Sequence, residues 1–101
     1  MSWKRTLLVF FGCIVLTPIA VLLPVPAIER LLLVLSMLLV LLTEFINSAI
    51  ETTIDRISLE RHPLSGQAKD LGSAAVAVAL TMTGLSWIVI AGPVLLRWLQ
   101  R

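Results

Sequence analysis

Hydrophobic residues in this chain fall into three long blocks, separated by two short polar stretches and edged by basic residues. The first block predicts a helix from about Thr6 to Leu23, long enough to cross a thin bilayer. Pro18 lies inside it, and the adjacent Thr17 is expected to help satisfy the carbonyl that a proline leaves free. Pro24-Val25-Pro26 ends the run, because proline lacks a donor and turns its predecessor away from helix. Glu29 and Arg30 mark a short polar turn. A second helix is expected from about Ile28; it reads LLLVLSMLLVLL and turns polar at Thr43-Glu44. No breaker follows until Pro63, so the helix should continue out of the lipid to about Arg56. Glu60-Arg61-His62-Pro63-Leu64-Ser65-Gly66 reads as a loop, with proline and glycine as punctuation. A third helix is expected from about Gln67 to Leu99, with Gly84 and Gly92-Pro93 as weak points. Trp98, between Arg97 and Arg101, suits an anchor at the far interface.

Composition makes lipid the necessary solvent. Of 101 residues, 58% are apolar and 14% charged, and so small a globule cannot bury that much apolar surface in itself. The expected fold is an all-α membrane protein, one domain over residues 1–101 with three transmembrane helices. Lys4 and Arg5 before an oily run also fit a signal peptide, but the run is too long and Pro24-Val25-Pro26 is a poor cleavage site, so a retained helix is expected. The single Cys13 has no partner for an internal disulfide and reads as lipid-facing or helix-packing filler. The cations are scattered along the edges of the apolar blocks with no aromatic platform among them, which argues against a nucleic-acid partner. Placing the N-terminus and the 56–69 loop in the cytoplasm puts five basic residues inside (Lys4, Arg5, Arg56, Arg61, Lys69). Three remain outside (Arg30, Arg97, Arg101), and the positive-inside rule favours that orientation.

The chemistry is concentrated in the second helix. At 100° per residue, Glu44, Asn47, Ser48, Glu51 and Asp55 share one face, within an arc of about 100°. A carboxylate deep in a membrane helix costs roughly 2.5–3.5 kcal/mol on insertion scales. An emerging helix end accounts for Asp55, Arg56 and Glu60, but not for Glu44, which follows a long apolar run and precedes Phe45 and Ile46. The third helix opens with a second polar patch, Lys69, Asp70 and Ser73. Its run of small residues, Ser73/Ala77 and Ala75/Ala79, permits close packing in lipid. Carboxylates, an amide and a Lys–Asp pair are the inventory of magnesium-assisted phosphoryl transfer. They are equally the inventory of a cation pathway, and residue types alone leave both open. There is no Walker A or glycine-rich kinase loop, and His62 has no Cys or His companion for a metal site.

The run Glu44-Phe45-Ile46-Asn47-Ser48-Ala49-Ile50-Glu51, then Asp55-Arg56, then Lys69-Asp70-Leu71-Gly72-Ser73-Ala74-Ala75, resembles the signature of prokaryotic integral-membrane diacylglycerol kinases. The resemblance implies a homotrimer in the bacterial inner membrane, its active site facing the cytoplasm. It would transfer phosphate from ATP to diacylglycerol, with Mg2+ as cofactor, to make phosphatidic acid. Glu44 matches the general base and Asn47 a supporting polar residue. Glu51 matches a magnesium ligand. Glu60, Arg61, His62, Lys69 and Asp70 match nucleotide contacts, while Ser73, Arg30 and Trp87 match positions near the lipid. Family members carry a surface helix before the first span, with a second metal-binding carboxylate. Here only Trp3-Lys4-Arg5-Thr6 precedes the apolar run, so the chain is expected either to be a truncated or mis-started reading or to lack half its metal site, and to be poorly active. A sister activity on undecaprenol shares the same motifs. The rival from another class is a small ion-translocating oligomer, which needs the intramembrane acid but not the Lys69-Asp70 loop; a purely structural subunit leaves Glu44 unexplained.

The orientation is testable. With Cys13 replaced, a cysteine at Ser65 should be protected from a membrane-impermeant thiol reagent in intact cells; ready labelling there reverses the topology.

Overall fold

The computed structural model describes residues 2–101, with side chains from Trp3 onward. Three helices account for almost all of it: α1, Ser2–Leu22; α2, Ala27–Ile57; and α3, Pro63–Leu99. Each is long and apolar enough to cross a membrane. The molecule measures 57 × 23 × 20 Å, its long axis set by α3, whose 37 residues rise about 55 Å at 1.5 Å each. Leu8, Leu22, Ile88 and Val89 are among many large side chains left exposed, which only lipid or another apolar surface tolerates. The chain is a multi-pass membrane protein.

Two helix starts differ from the hydrophobic pattern. Helix α1 begins at Ser2, so Trp3, Lys4 and Arg5 ride on the helix instead of leading into it. An apolar block marks where lipid begins, not where helical hydrogen bonding begins. Helix α3 begins at Pro63 rather than Gln67, and Gly66 lies inside its first turn. Proline at the first helical position forfeits no hydrogen bond, and its fixed φ suits the helix. His62 caps the end, its Nδ1 accepting from the Leu64 amide at 3.1 Å. A smaller difference concerns Pro18: the Thr17 hydroxyl donates to the Cys13 carbonyl at 2.6 Å, one residue before the carbonyl that Pro18 releases.

Helices α1 and α3 each pack on α2, and their own backbones do not meet. The buried residues of α2 are Leu33, Ser36, Met37, Val40, Glu44 and Asn47, spaced three and four apart along one face. Leu33 and Met37 join Cys13 and Ala20 of α1 and Ile90 of α3 in one apolar cluster, with Trp87 packed against it. Cys13 is therefore helix-packing filler, its thiol 3.7 Å from the Met37 carbonyl. The crossings are made at small residues: Ala20 and Ala79 are 0% and 1% exposed. Thr83 ties α3 to α2 by donating to the Ser36 carbonyl at 3.0 Å. At the α1–α2 turn, Arg30 Nη2 donates to the carbonyls of Leu23 and Val25, both at 3.2 Å. These bonds pin the turn that follows α1, where the Leu23 carbonyl also accepts from the Val25 amide at 2.9 Å.

Ala20→Leu should force α1 away from α2. A loss of about 1–3 kcal/mol is expected from overpacking, read as a shifted midpoint when the detergent-solubilised chain is unfolded with SDS.

Candidate functional site

The polar stripe of α2 is where α1 and α3 bring their own polar groups. Glu44 is completely buried, and α1 reaches it with two residues. Arg5 Nε donates to Glu44 Oε1 at 2.9 Å, and the Thr6 hydroxyl donates to the same oxygen at 3.1 Å. Ser48, one turn on, lies 3.2 Å from that oxygen, and its hydroxyl also contacts that of Thr6. Two hydroxyl protons serve these three contacts, so at least one always reaches the carboxylate. Glu44 Oε1 is therefore held by the guanidinium and by one or two hydroxyls. Oε2, equally buried, has no hydrogen-bond partner among the described residues.

Glu51 lies two turns further along the same face. Arg5 spans the gap, its Nη2 donating to Glu51 Oε1 at 3.0 Å. The Glu51 side chain is 18% exposed, where Glu44 is wholly buried. Between the two acids sits Asn47, 2% exposed, with an Oδ1 that finds no donor among the described residues. Gly72 of α3 faces it, and a Cβ there would collide with the Asn47 side-chain amide. The missing side chain is what lets α3 approach α2 at this level.

Beyond Glu51 the helices part around the α2–α3 loop. Asp55, Glu60, Arg61, His62 and Lys69 line an open cavity of about 610 Å³. Lys69 Nζ donates to Asp55 Oδ1 at 3.0 Å across it. Asp70 and Ser73 are exposed on α3, outside both clusters. Arg30 and Trp87 stand at the other end of the bundle: Arg30 is fourteen residues before Glu44, about 21 Å along the α2 axis. Trp87 lines an apolar groove of about 680 Å³ with Ile19, Leu22, Leu95 and Trp98.

Among the described residues, no three Asp, Glu, His or Cys side chains converge to hold a metal. A magnesium ion shared with substrate phosphates needs only one or two protein carboxylates. Glu51 suits that role, since its Oε2 makes no hydrogen bond among the described residues and its side chain reaches solvent.

The family model for prokaryotic diacylglycerol kinases matches residues 4–91. The chain belongs to the prokaryotic diacylglycerol kinase family. The diacylglycerol kinase of Pseudomonas aeruginosa is 56% identical over 77 residues, covering 76% of this chain and 63% of that protein. That of Haemophilus influenzae is 50% identical over 78 residues, covering 77% and 65%. That of Escherichia coli K12 is 50% identical over 72 residues, covering 71% and 59%. The chain thus spans less than two thirds of the length of these curated relatives.

Three residues that the structure brings to this candidate site carry no local signal in the sequence. Arg5 and Thr6 looked like the charged lip of a span, and Gly72 like one small residue in a motif. Nothing local says that the α1 N-terminus lies against α2 two turns from its wet end. A long apolar helix with an acid in it does, however, require a cation or donor from elsewhere, and Arg5 is among the few available.

The Gly72 contact yields a test. Gly72→Ala should cost about 1–3 kcal/mol in the same SDS titration. The loss should shrink when Asn47 is also cut to alanine, because the two residues share one space. Equal losses in both backgrounds would mean that Asn47 is not what Gly72 accommodates.

Proposed function

We propose that this chain transfers the γ-phosphate of ATP to the hydroxyl of diacylglycerol, yielding phosphatidic acid and ADP. The observation that carries this reading is the asymmetry of Glu44: one carboxylate oxygen is fully held, and the other is buried without a donor. A buried acceptor in that state is suited to a hydroxyl proton. The lipid hydroxyl donates to Glu44 Oε2, passes its proton there as its oxygen bonds phosphorus, and the bond from phosphorus to ADP breaks. Arg5, Thr6 and Ser48 keep the carboxylate in place, and Asn47 offers a polar neighbour one turn away. The cavity with Arg61, His62 and Lys69 is the place for the nucleotide, its cations answering phosphate charge. When bound, Mg2+ neutralises phosphate charge, and Glu51 is the residue that would hold it. Ser73 and Asp70, exposed on α3, and the groove at Trp87 are surfaces left for the lipid and for neighbouring copies in a homotrimer. Arg30 serves the α1–α2 turn.

The family's setting favours the bacterial inner membrane, and the placement of the basic residues favours this site on its cytoplasmic side. The relatives named diacylglycerol kinases favour diacylglycerol over undecaprenol. An ion-translocating oligomer gives no reason for a loop cavity that gathers Arg61, His62 and Lys69, which supports the kinase reading.

The test is an ATP/diacylglycerol assay on the purified chain and on E44Q in mixed micelles. The amide keeps the shape but cannot take a proton, so turnover should fall at least about 100-fold, within the usual range for a lost general base. The KM for ATP should not change. A folded E44Q at near wild-type rate removes Glu44 from this role.

A further inference from the structure

Two acids two turns apart on one helix face repel each other, and Glu44, at 0% exposure, has no water to screen it. One guanidinium answers both: its Nε lies 2.9 Å from Glu44 Oε1 and its Nη2 3.0 Å from Glu51 Oε1. The guanidinium is a rigid planar fork, so these bonds set the two carboxylates around a single cation. Two more oxygens on this face, Glu44 Oε2 and Asn47 Oδ1, are buried with no donor among the described residues. Buried acceptors are normally paired, and this face offers more acceptor oxygen than Arg5 fills.

We propose that Arg5 is the site's built-in cation, and that a divalent metal ion reaches Glu51 only in competition with it. This deepens the reading of Glu51 as the metal ligand and rests on it. The two cations need the same carboxylate and repel each other at contact distance. The Arg5 side chain is 43% exposed, so its outer nitrogen can leave Glu51 for water while Nε stays on Glu44. Arg5 thereby keeps the buried acid paired whether or not a metal is bound.

The test is Mn2+ binding, followed by the electron paramagnetic resonance signal of the free ion, on the purified full chain in detergent without nucleotide. R5Q removes the competing charge and should bind Mn2+ about 10-fold more tightly than wild type, within the range by which groups around a metal ligand shift its affinity. The double variant R5Q/E51Q should lose that gain. Equal or weaker binding by a folded R5Q overturns the proposal. Because R5Q also strips Glu44 of its partner, the wild-type chain supplies an independent readout. Mg2+ titrated into it should shift the Arg5 side-chain N–H resonances and leave those of Arg97 in place. Arg5 resonances that stay fixed while Glu51 is saturated overturn the proposal, whatever R5Q does. E51Q separates the two readings. If E51Q binds Mn2+ as well as wild type, Glu51 is not the metal ligand and both readings fall. If E51Q loses the ion while R5Q gains nothing, competition alone falls.

Discussion

A carboxylate buried at the level of Glu44 has to be given polar company by another helix, because its own neighbours are mostly apolar and lipid offers nothing. Arg5 and Thr6 provide it, and in doing so they fix where α1 lies on α2. Hydrophobic burial cannot set that register in a membrane, since lipid tails are as apolar as leucine. Side chains such as Leu8 and Phe11 stay exposed, and sliding them past α2 would change little. Sliding Arg5 away from Glu44 would leave a charge bare. The polar contact therefore specifies what the apolar contacts merely permit.

Close approach is the second requirement, and it is met by small residues at different depths. Ala20 sits at the α1–α2 crossing, while Ala79 and Gly72 let α3 onto α2. Packing in lipid depends on such approaches, since dispersion falls away within an ångström of the optimum separation. The buried face of α2 is thus continuous but changes character along its length. Leu33, Met37 and Val40 make a packed apolar half, and Glu44 and Asn47 a polar half that the first holds in place.

How much of this was legible in the chain itself follows from the range of each signal. Three spans and the polar stripe of α2 arise from periodicity within one helix, and the sequence displays them directly. The early start of α3 was hidden because Pro63 and Gly66 are breakers in most settings, and only the cap at His62 makes this one favourable. The Arg5 bridge joins residues 39 and 46 positions apart, and no local pattern encodes which face of α1 meets α2. Gly72 shows the same limit from the other side: its role is the space it leaves for Asn47, which becomes visible only once two helices are laid together.

The early start of α3 also bears on the chemistry at the loop. With the helix beginning at Pro63, Lys69 stands in its second turn, held by regular backbone instead of fraying at an end. Its partner Asp55 is on the last turns of α2, so the two walls of the cavity are both helical and only a short loop joins them. The pair itself is exposed, at 42% and 51%, and such a bridge is worth only about 0–1 kcal/mol. It cannot be what holds α2 to α3, a task that falls to Gly72, Val76 and Ala79 deeper in the bundle. A lysine fixed in position but weakly committed to its partner can exchange a carboxylate for a phosphate at little cost. In the proposed reaction that exchange requires no movement of either helix.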